Sequence, residues 1–297
     1  MKKVLFGVLA TMIAFTVTAQ SIIDAEDGSN PNDFYQRGIV VGKKAMPYPF
    51  LRESDVVWKT TIWRSIDMNE SFNQYLYFPI ETEEEGNTQN RISIINLIVK
   101  AASNGDIDIY EDDDMKVVTE WEKAYFNLAG APEPKLVPRT DSDGNVIEDE
   151  DGEAYMDTVY TTPSFDVQSA KKLNLKEFWY IDKQDTRQKV RIVGLSFNFQ
   201  KEMKGNAITA TSFWIPMNDM KVRQVLVNAN AFEENNDVAE RSYDDIFIQR
   251  YFDSYVTRES NKFNRKVTDY LTGQDAILEA QAIEERIFDI ESDMWEY

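Results

Sequence analysis

Neither cysteine nor histidine occurs anywhere in this sequence of 297 residues. Without cysteine there are no disulfides, no thiolate nucleophile and no cysteine-ligated zinc or iron–sulfur cluster. Without histidine the usual neutral-pH general base and the usual transition-metal ligand are missing. Ser-His-Asp, Cys-His and HExxH chemistries are therefore excluded. Carboxylate chemistry, Ser-Lys or Tyr chemistry and oxygen-ligated Ca²⁺ or Mg²⁺ remain. Positive charge is also scarce: 32 Lys and Arg face 52 Asp and Glu, a net charge of −20. Such a surface repels phosphate backbones and anionic membranes and favours basic partner surfaces. Long apolar runs are absent beyond the first segment, so no later stretch is expected to span a bilayer.

That first segment has a plain pattern. Met1-Lys2-Lys3 is a basic start, Val4–Val17 is apolar, and Val17-Thr18-Ala19 supplies small residues before Gln20. This is the pattern of a secretory signal peptide over 1–19, cut after Ala19. The rival reading is a membrane anchor, which needs about 20 apolar residues, more than this run has. Loss of Lys2 and Lys3 takes the net charge from −20 to −22. With no cysteine after the cut the mature chain is not a lipoprotein, so an exported, soluble product holding to a membrane only through a partner is expected. Residues 20–50 follow as an extended arm, with turn-forming Gly28-Ser29-Asn30-Pro31-Asn32 and the sticky Met46-Pro47-Tyr48-Pro49. The arm either stays free or docks on its own domain or a neighbour.

A first α/β lobe is expected over 51–130. It opens on DVVWKTTIWRSIDMNESFNQYLYFP (55–79). Trp58, Ile62 and Ile66 recur every four residues, predicting a helix with Trp63 to one side, Arg64 paired with Asp67, and Asp67 close to Glu70. Tyr75-Leu76-Tyr77-Phe78 reads as a short strand ended by Pro79. Arg91–Ser103 predicts a helix capped at Asn104-Gly105, and Asp106–Tyr110 a half-buried strand. Asp112-Asp113-Asp114 is better explained as the acidic first turn of a helix over Met115–Tyr125 than as a metal site.

Four prolines and the run Asp141–Glu153 mark 131–170 as a linker or insertion. That run superficially resembles a calcium loop, but Gly144 directly follows Asp143, which breaks the EF-hand register. A second α+β lobe is expected over 171–297. Its strands Lys176–Asp182, Lys189–Phe199 and Thr209–Pro216, joined by short polar turns, predict an antiparallel meander. Ser212–Pro216 echoes Gln74–Pro79, weak evidence for a repeat. The C-terminal third reads as helical. Ser242 and Asp245 form a capping-box variant, with Phe247, Tyr251 and Tyr255 on one face. Phe263, Val267, Tyr270 and Leu271 follow, closed by Gly273. Ala276, Ala280, Ile283, Ile287, Ile290 and Met294 then form a seam suited to docking on the chain's own sheet or, less simply, to a coiled coil. Asp289, Glu291, Asp293 and Glu296 oppose the helix dipole there, as if to meet basic groups elsewhere. The fold class is thus α+β: antiparallel sheet elements with packed helices, a helical C-terminal third and an extended N-terminal arm.

Several long stretches, in order, resemble the GldN/PorN family of gliding-motility and type IX secretion proteins of Bacteroidota. They are 55–79, 91–110, KEFWYIDKQ (176–184), SFWIPM (212–217), SYDDIFIQRYFDSYVTRESN (242–261) and LEAQAIEERIFDIESDMWEY (278–297). The acidic 139–157 has no counterpart in that pattern. The resemblance implies a periplasmic, non-enzymatic component of a homo-oligomeric ring. That ring is built with an outer-membrane lipoprotein (GldK/PorK) and contacts the periplasmic part of the inner-membrane motor protein (GldM/PorM). It brings no catalytic residue, cofactor or metal. Two other readings stay open on the residues alone: a secreted glycosidase using two carboxylates, and a calcium-dependent binding module using 141–153. Without His or Cys beside them, Arg64, Asp67, Glu70 and Asn73 read as a structural or interfacial polar network, with Trp58, Trp63 and Trp295 as candidate interface aromatics.

Overall fold

A computed structural model describes residues 43–80, 91–130, 133–138, 156–161, 163–185, 187–203, 206–233 and 241–293. The chain divides into Met1–Lys43 and Lys44–Tyr297, and of the first unit only Lys43 falls among the described residues. The expected signal peptide, most of the arm, Asp141–Glu153 and Trp295 lie outside them.

The stretch expected to open with a helix is an inner strand of the main sheet. β1, Val56–Asp67, runs antiparallel to its neighbours on both sides. The four-residue spacing of Trp58, Ile62 and Ile66 suits a strand as well as a helix, because four is also an even number. The surrounding Val56, Val57, Thr60, Thr61 and Trp63 are strand formers, and that composition decides the case. Tyr75–Phe78 is likewise corrected: Gln74–Tyr77 is a single turn of helix, α1, after a 3₁₀ turn at Ser71–Asn73. A run of four apolar residues is too short for periodicity to separate the two states. The echo between Gln74–Pro79 and Ser212–Pro216 therefore has no structural counterpart.

The helix expected after Arg91 is α2, Ile94–Asn104, started by the Ser93 side chain and stopped by Gly105 at φ 76°. β2 (Ile109–Tyr110) and β3 (Val118–Thr119) form a small hairpin. The three aspartates do not open a helix: they lie in the turn of that hairpin, and α3 begins later, at Trp121–Ala129. In the expected linker, β4 (Glu133–Pro138) and β5 (Met156–Thr161) pair as a two-stranded ribbon.

Then come β6 (Ala170–Asp182), β7 (Gln188–Met203), β8 (Asn206–Thr211) and β9 (Ile215–Pro216). They are followed by α4 (Met220–Asn228), α5 (Tyr243–Gln249), β10 (Tyr255–Glu259) and α6 (Gln274–Asp293). The main sheet has the order β10-β1-β6-β7-β8, with β9 also on β7. The meander is as expected, but the division into two lobes is not seen in the sheet. β1, from the first expected lobe, sits between β10 and β6 of the second, so the two halves share one sheet. The fold is α+β.

One face of this sheet carries both cores. Ile66, Leu173, Leu175, Leu195 and Phe197 meet the apolar sides of α2, α4 and α5. Further along β1, Ile62 meets Val256, Val267 and the α6 residues Ala280, Ile283 and Ile287, with Trp58 and Trp179 alongside. The C-terminal seam therefore docks on the chain's own sheet. Only Phe247 of the expected Phe247–Tyr251–Tyr255 face is helical: α5 ends at Gln249, and Tyr255 belongs to β10. Between them and α6 a 3₁₀ turn, Val267–Asp269, replaces the expected helix, and Phe263 is exposed.

Candidate functional site

The strand assignment separates residues that a helix would have grouped. Trp58 and Arg64 point to the face covered by α6, while Trp63, an odd number of residues away, points to the other. Arg64 does not pair with Asp67. Its guanidinium reaches Ser254 Oγ at 2.9 Å and Glu284 on α6 at 2.5 Å, pinning that helix to the sheet. Trp58 packs in the core beneath the same helix.

Asp67, Glu70 and Asn73 do come together, in the loop leaving β1. Asn73 is fully buried and spans the loop. Its amide donates to the Asp67 and Asp253 carbonyls at 2.9 and 3.0 Å and to Glu70 Oε2 at 3.2 Å, and its Oδ1 accepts from the Asp253 N–H at 2.9 Å. Loss of water and the neighbouring Asp253 and Asp67 carboxylates push the Glu70 carboxyl above its ordinary value. Asn73→Ala would remove the side-chain partner of the Asp253 carbonyl and N–H and one of two donors to the Asp67 carbonyl. It is expected to cost about 1–3 kcal/mol in urea unfolding, with Asn73→Asp worse because it adds a fourth carboxylate to the cluster.

On the opposite face lies a hollow of 310 Å³ whose walls include Lys59, Trp63, Asp113, Lys176, Phe178 and Arg258. Trp63 Nε1–H donates to Asp113 Oδ2 at 2.8 Å, and Arg258 lies 3.6 Å over the Trp63 ring while reaching the same oxygen at 2.5 Å. Lys176, mostly buried, donates to the Asp113 carbonyl at 2.6 Å. Lys59 stacks on Phe178 at 3.7 Å. Asp113 is thus the fastening of the β2–β3 turn to the sheet. Neighbouring Asp114 is held below its ordinary range, chiefly by the hydrogen bond from Lys116. Among the described residues no group of three or more acids is placed to hold a metal ion, and no helix is long and apolar enough to cross a membrane.

Two further features sit at the surface. A groove of 440 Å³ is lined by Tyr75, Phe78, Phe232, Arg241 and Tyr251. Tyr75 O–H donates to the Tyr251 carbonyl at its base, and burial raises the Tyr75 phenol above its ordinary value. The second is the docked end of the arm: the ring of Tyr48 lies 4.5 Å from the Arg223 guanidinium and 4.8 Å from that of Arg191, whose Nη2 donates to the Pro49 carbonyl. At least over residues 45–49 the arm docks on its own domain.

These arrangements fasten loops and leave two aromatic hollows at the surface. A family model described as "Gliding motility associated protein GldN" matches residues 51–296, most of the chain. The chain belongs to the GldN family. GldN is a family of gliding-motility components, not of known enzymes. No curated protein matches this GldN-family chain. The match includes β1 and α6, hence Trp58, Trp63, Arg64 and the Asn73 loop, and it also includes Trp295, which lies outside the described residues.

Sequence reasoning gives Asp113 a helix-cap role and does not single out Arg258, Arg223, Asp244 or Arg250. A signal was present in KEFWY: Lys176 and Glu177 are neighbours in an aromatic strand and so face opposite sides, and each buried charge needs its own partner.

Proposed function

We propose that this chain is a non-enzymatic structural component of the type IX protein secretion and gliding machinery. It works in the periplasm, where it forms a ring with an outer-membrane lipoprotein of the GldK/PorK type and meets the periplasmic part of the GldM/PorM motor protein. The family match over residues 51–296 carries this reading. Supporting it are the secretory pattern of residues 1–19, the net charge of −20 suited to basic partner surfaces, and the exposed aromatic hollows. The fastened state of the polar groups of β1 suits a scaffold that presents surfaces in fixed orientation.

The test is reconstitution. The mature protein and the soluble part of the lipoprotein, mixed and run by size-exclusion chromatography with light scattering, are expected to co-elute as an assembly far larger than a one-to-one pair. In cells, the protein is expected in the outer-membrane-associated periplasmic fraction, and released from it when the lipoprotein is deleted. A monomer indifferent to the lipoprotein would overturn the reading.

A further inference from the structure

Charge is distributed unevenly across the main sheet. On the side covered by α6, that helix carries seven acids against Arg286 alone. Glu284 is paired with Arg64, and Glu279 lies within reach of Arg286. Glu285, Asp289 and Asp293 have no ion pair among the described residues, and all three are exposed. Spaced four apart they form one stripe and repel each other, and they crowd the helix end whose dipole disfavours negative charge. Phe288 stands beside this stripe, 71% exposed. An aromatic side chain held out in water within an uncompensated acidic stripe costs the isolated chain stability on both counts. A cationic, aromatic surface would relieve both.

The chain carries such a surface on the other side of the same sheet. The hollow of 310 Å³ described above offers the faces of Trp63 and Phe178 with Lys59 and Arg258 around them. Lys59 has no ion pair among the described residues. Asn264 lines the rim, in a loop that also carries Lys262, Arg265 and Lys266. Of the hollow's two acids, Asp113 is already bonded to Trp63 and Arg258, and Asp114 to Lys116. The unspent charge there is positive, in a protein of net charge −20.

We infer that the Phe288 stripe of one copy docks into the Lys59–Trp63–Phe178–Arg258 hollow of a second copy. The two patches lie on opposite faces of one sheet, so they cannot meet within a chain. A contact between unlike patches is head-to-tail, and such contacts propagate into closed rings or open filaments. Phe288 is the aromatic anchor of the contact, and the acids flanking it meet Lys59 and the rim lysines. This inference rests on the assembly reading and supplies its contact between copies.

The experiment uses the full mature chain and three variants, followed by sedimentation velocity and native mass spectrometry. Phe288→Asp removes the anchor and leaves the hollow. Lys59→Glu spoils the hollow and leaves the anchor. Both positions are exposed, so circular dichroism and melting temperature are expected to match the wild type. Each variant alone is expected to weaken self-association about thirtyfold or more. Mixed together, the two are expected to give dimers and nothing larger, because one competent anchor meets one competent hollow. Lys59→Glu combined with Asp289→Lys is expected to recover part of the assembly.

Variants that assemble like the wild type, or a mixture that stays monomeric, would overturn this contact and leave the assembly reading standing. Loss of lipoprotein capture with self-association intact would assign the surface to the lipoprotein and overturn the second-copy occupant. A wild-type chain that remains monomeric with and without the lipoprotein would overturn both.

Discussion

Arg223→Ala is expected to destabilise the fold by about 3–5 kcal/mol, among the largest effects of any single substitution outside the apolar core. Arg223 is 1% exposed, and its Nε and Nη2 reach the two carboxylate oxygens of Asp244 at 2.9 and 2.7 Å. Its remaining donor, Nη1, holds the Met46 carbonyl, and its guanidinium packs against Tyr48. Truncation would strand a buried carboxylate on α5 and release the arm segment from α4 together. Urea unfolding is expected to show a lower midpoint with little change in slope. Limited proteolysis is expected to find a new cleavage site near 44–50. Replacing both partners, Arg223→Met with Asp244→Leu, should recover much of the loss, because the apolar pair leaves no buried charge unpaired. If the double variant unfolds as easily as Arg223→Ala, the lost docking of the arm outweighs the stranded charge.

The features legible in the sequence were those with local causes. Gly105 ends α2, Ser242 caps α5, and the seam through Ala280, Ile283 and Ile287 docks α6. In each case a single turn or one helical face contains the whole signal. The spacing in β1 points to a helix because a four-residue repeat is common to helices and strands, and only its strand-forming composition separates the two. The three aspartates were misread because an acidic first turn is the commoner local explanation. What holds Asp113 in place comes from Trp63, 50 positions earlier, and Arg258, 145 positions later. No local pattern records such a contact. The four polar residues expected to act together divide between two places, since strand alternation sends Arg64 to α6 and leaves Asn73 to organise the loop with Asp67 and Glu70. The same alternation puts the half-buried Trp58 against the α6 core and the equally half-buried Trp63 on the other face.

Arg250→Ala is the second large effect, expected to cost about 3–5 kcal/mol at neutral pH. Its partner Glu177 is 0% exposed and lies opposite Ile62 on the face that carries both apolar clusters. Glu177 accepts from Arg250 Nη1 at 2.7 Å, from Nη2 at 3.3 Å and from Trp179 Nε1 at 2.9 Å. Without the arginine the buried carboxylate keeps the indole N–H and loses both guanidinium donors. Arg250→Ala combined with Glu177→Gln is expected to recover part of the loss in urea unfolding, and a double variant no more stable than Arg250→Ala would show that the carboxylate is not stranded.

Backbone strain is a separate contribution, and Arg250→Gly isolates it. Arg250 sits at φ 54°, and its N–H bonds the Ile246 and Phe247 carbonyls to close α5, a position where glycine is the ordinary choice. Arginine and alanine bear the same left-handed penalty of about 1–2 kcal/mol, which glycine does not. Arg250→Gly should therefore unfold later than Arg250→Ala by about that amount and still earlier than the wild type. That ordering would show why an arginine occupies a glycine position. The strained residue that ends α5 is also the one that neutralises the buried charge of Glu177, so it couples α5 to β6.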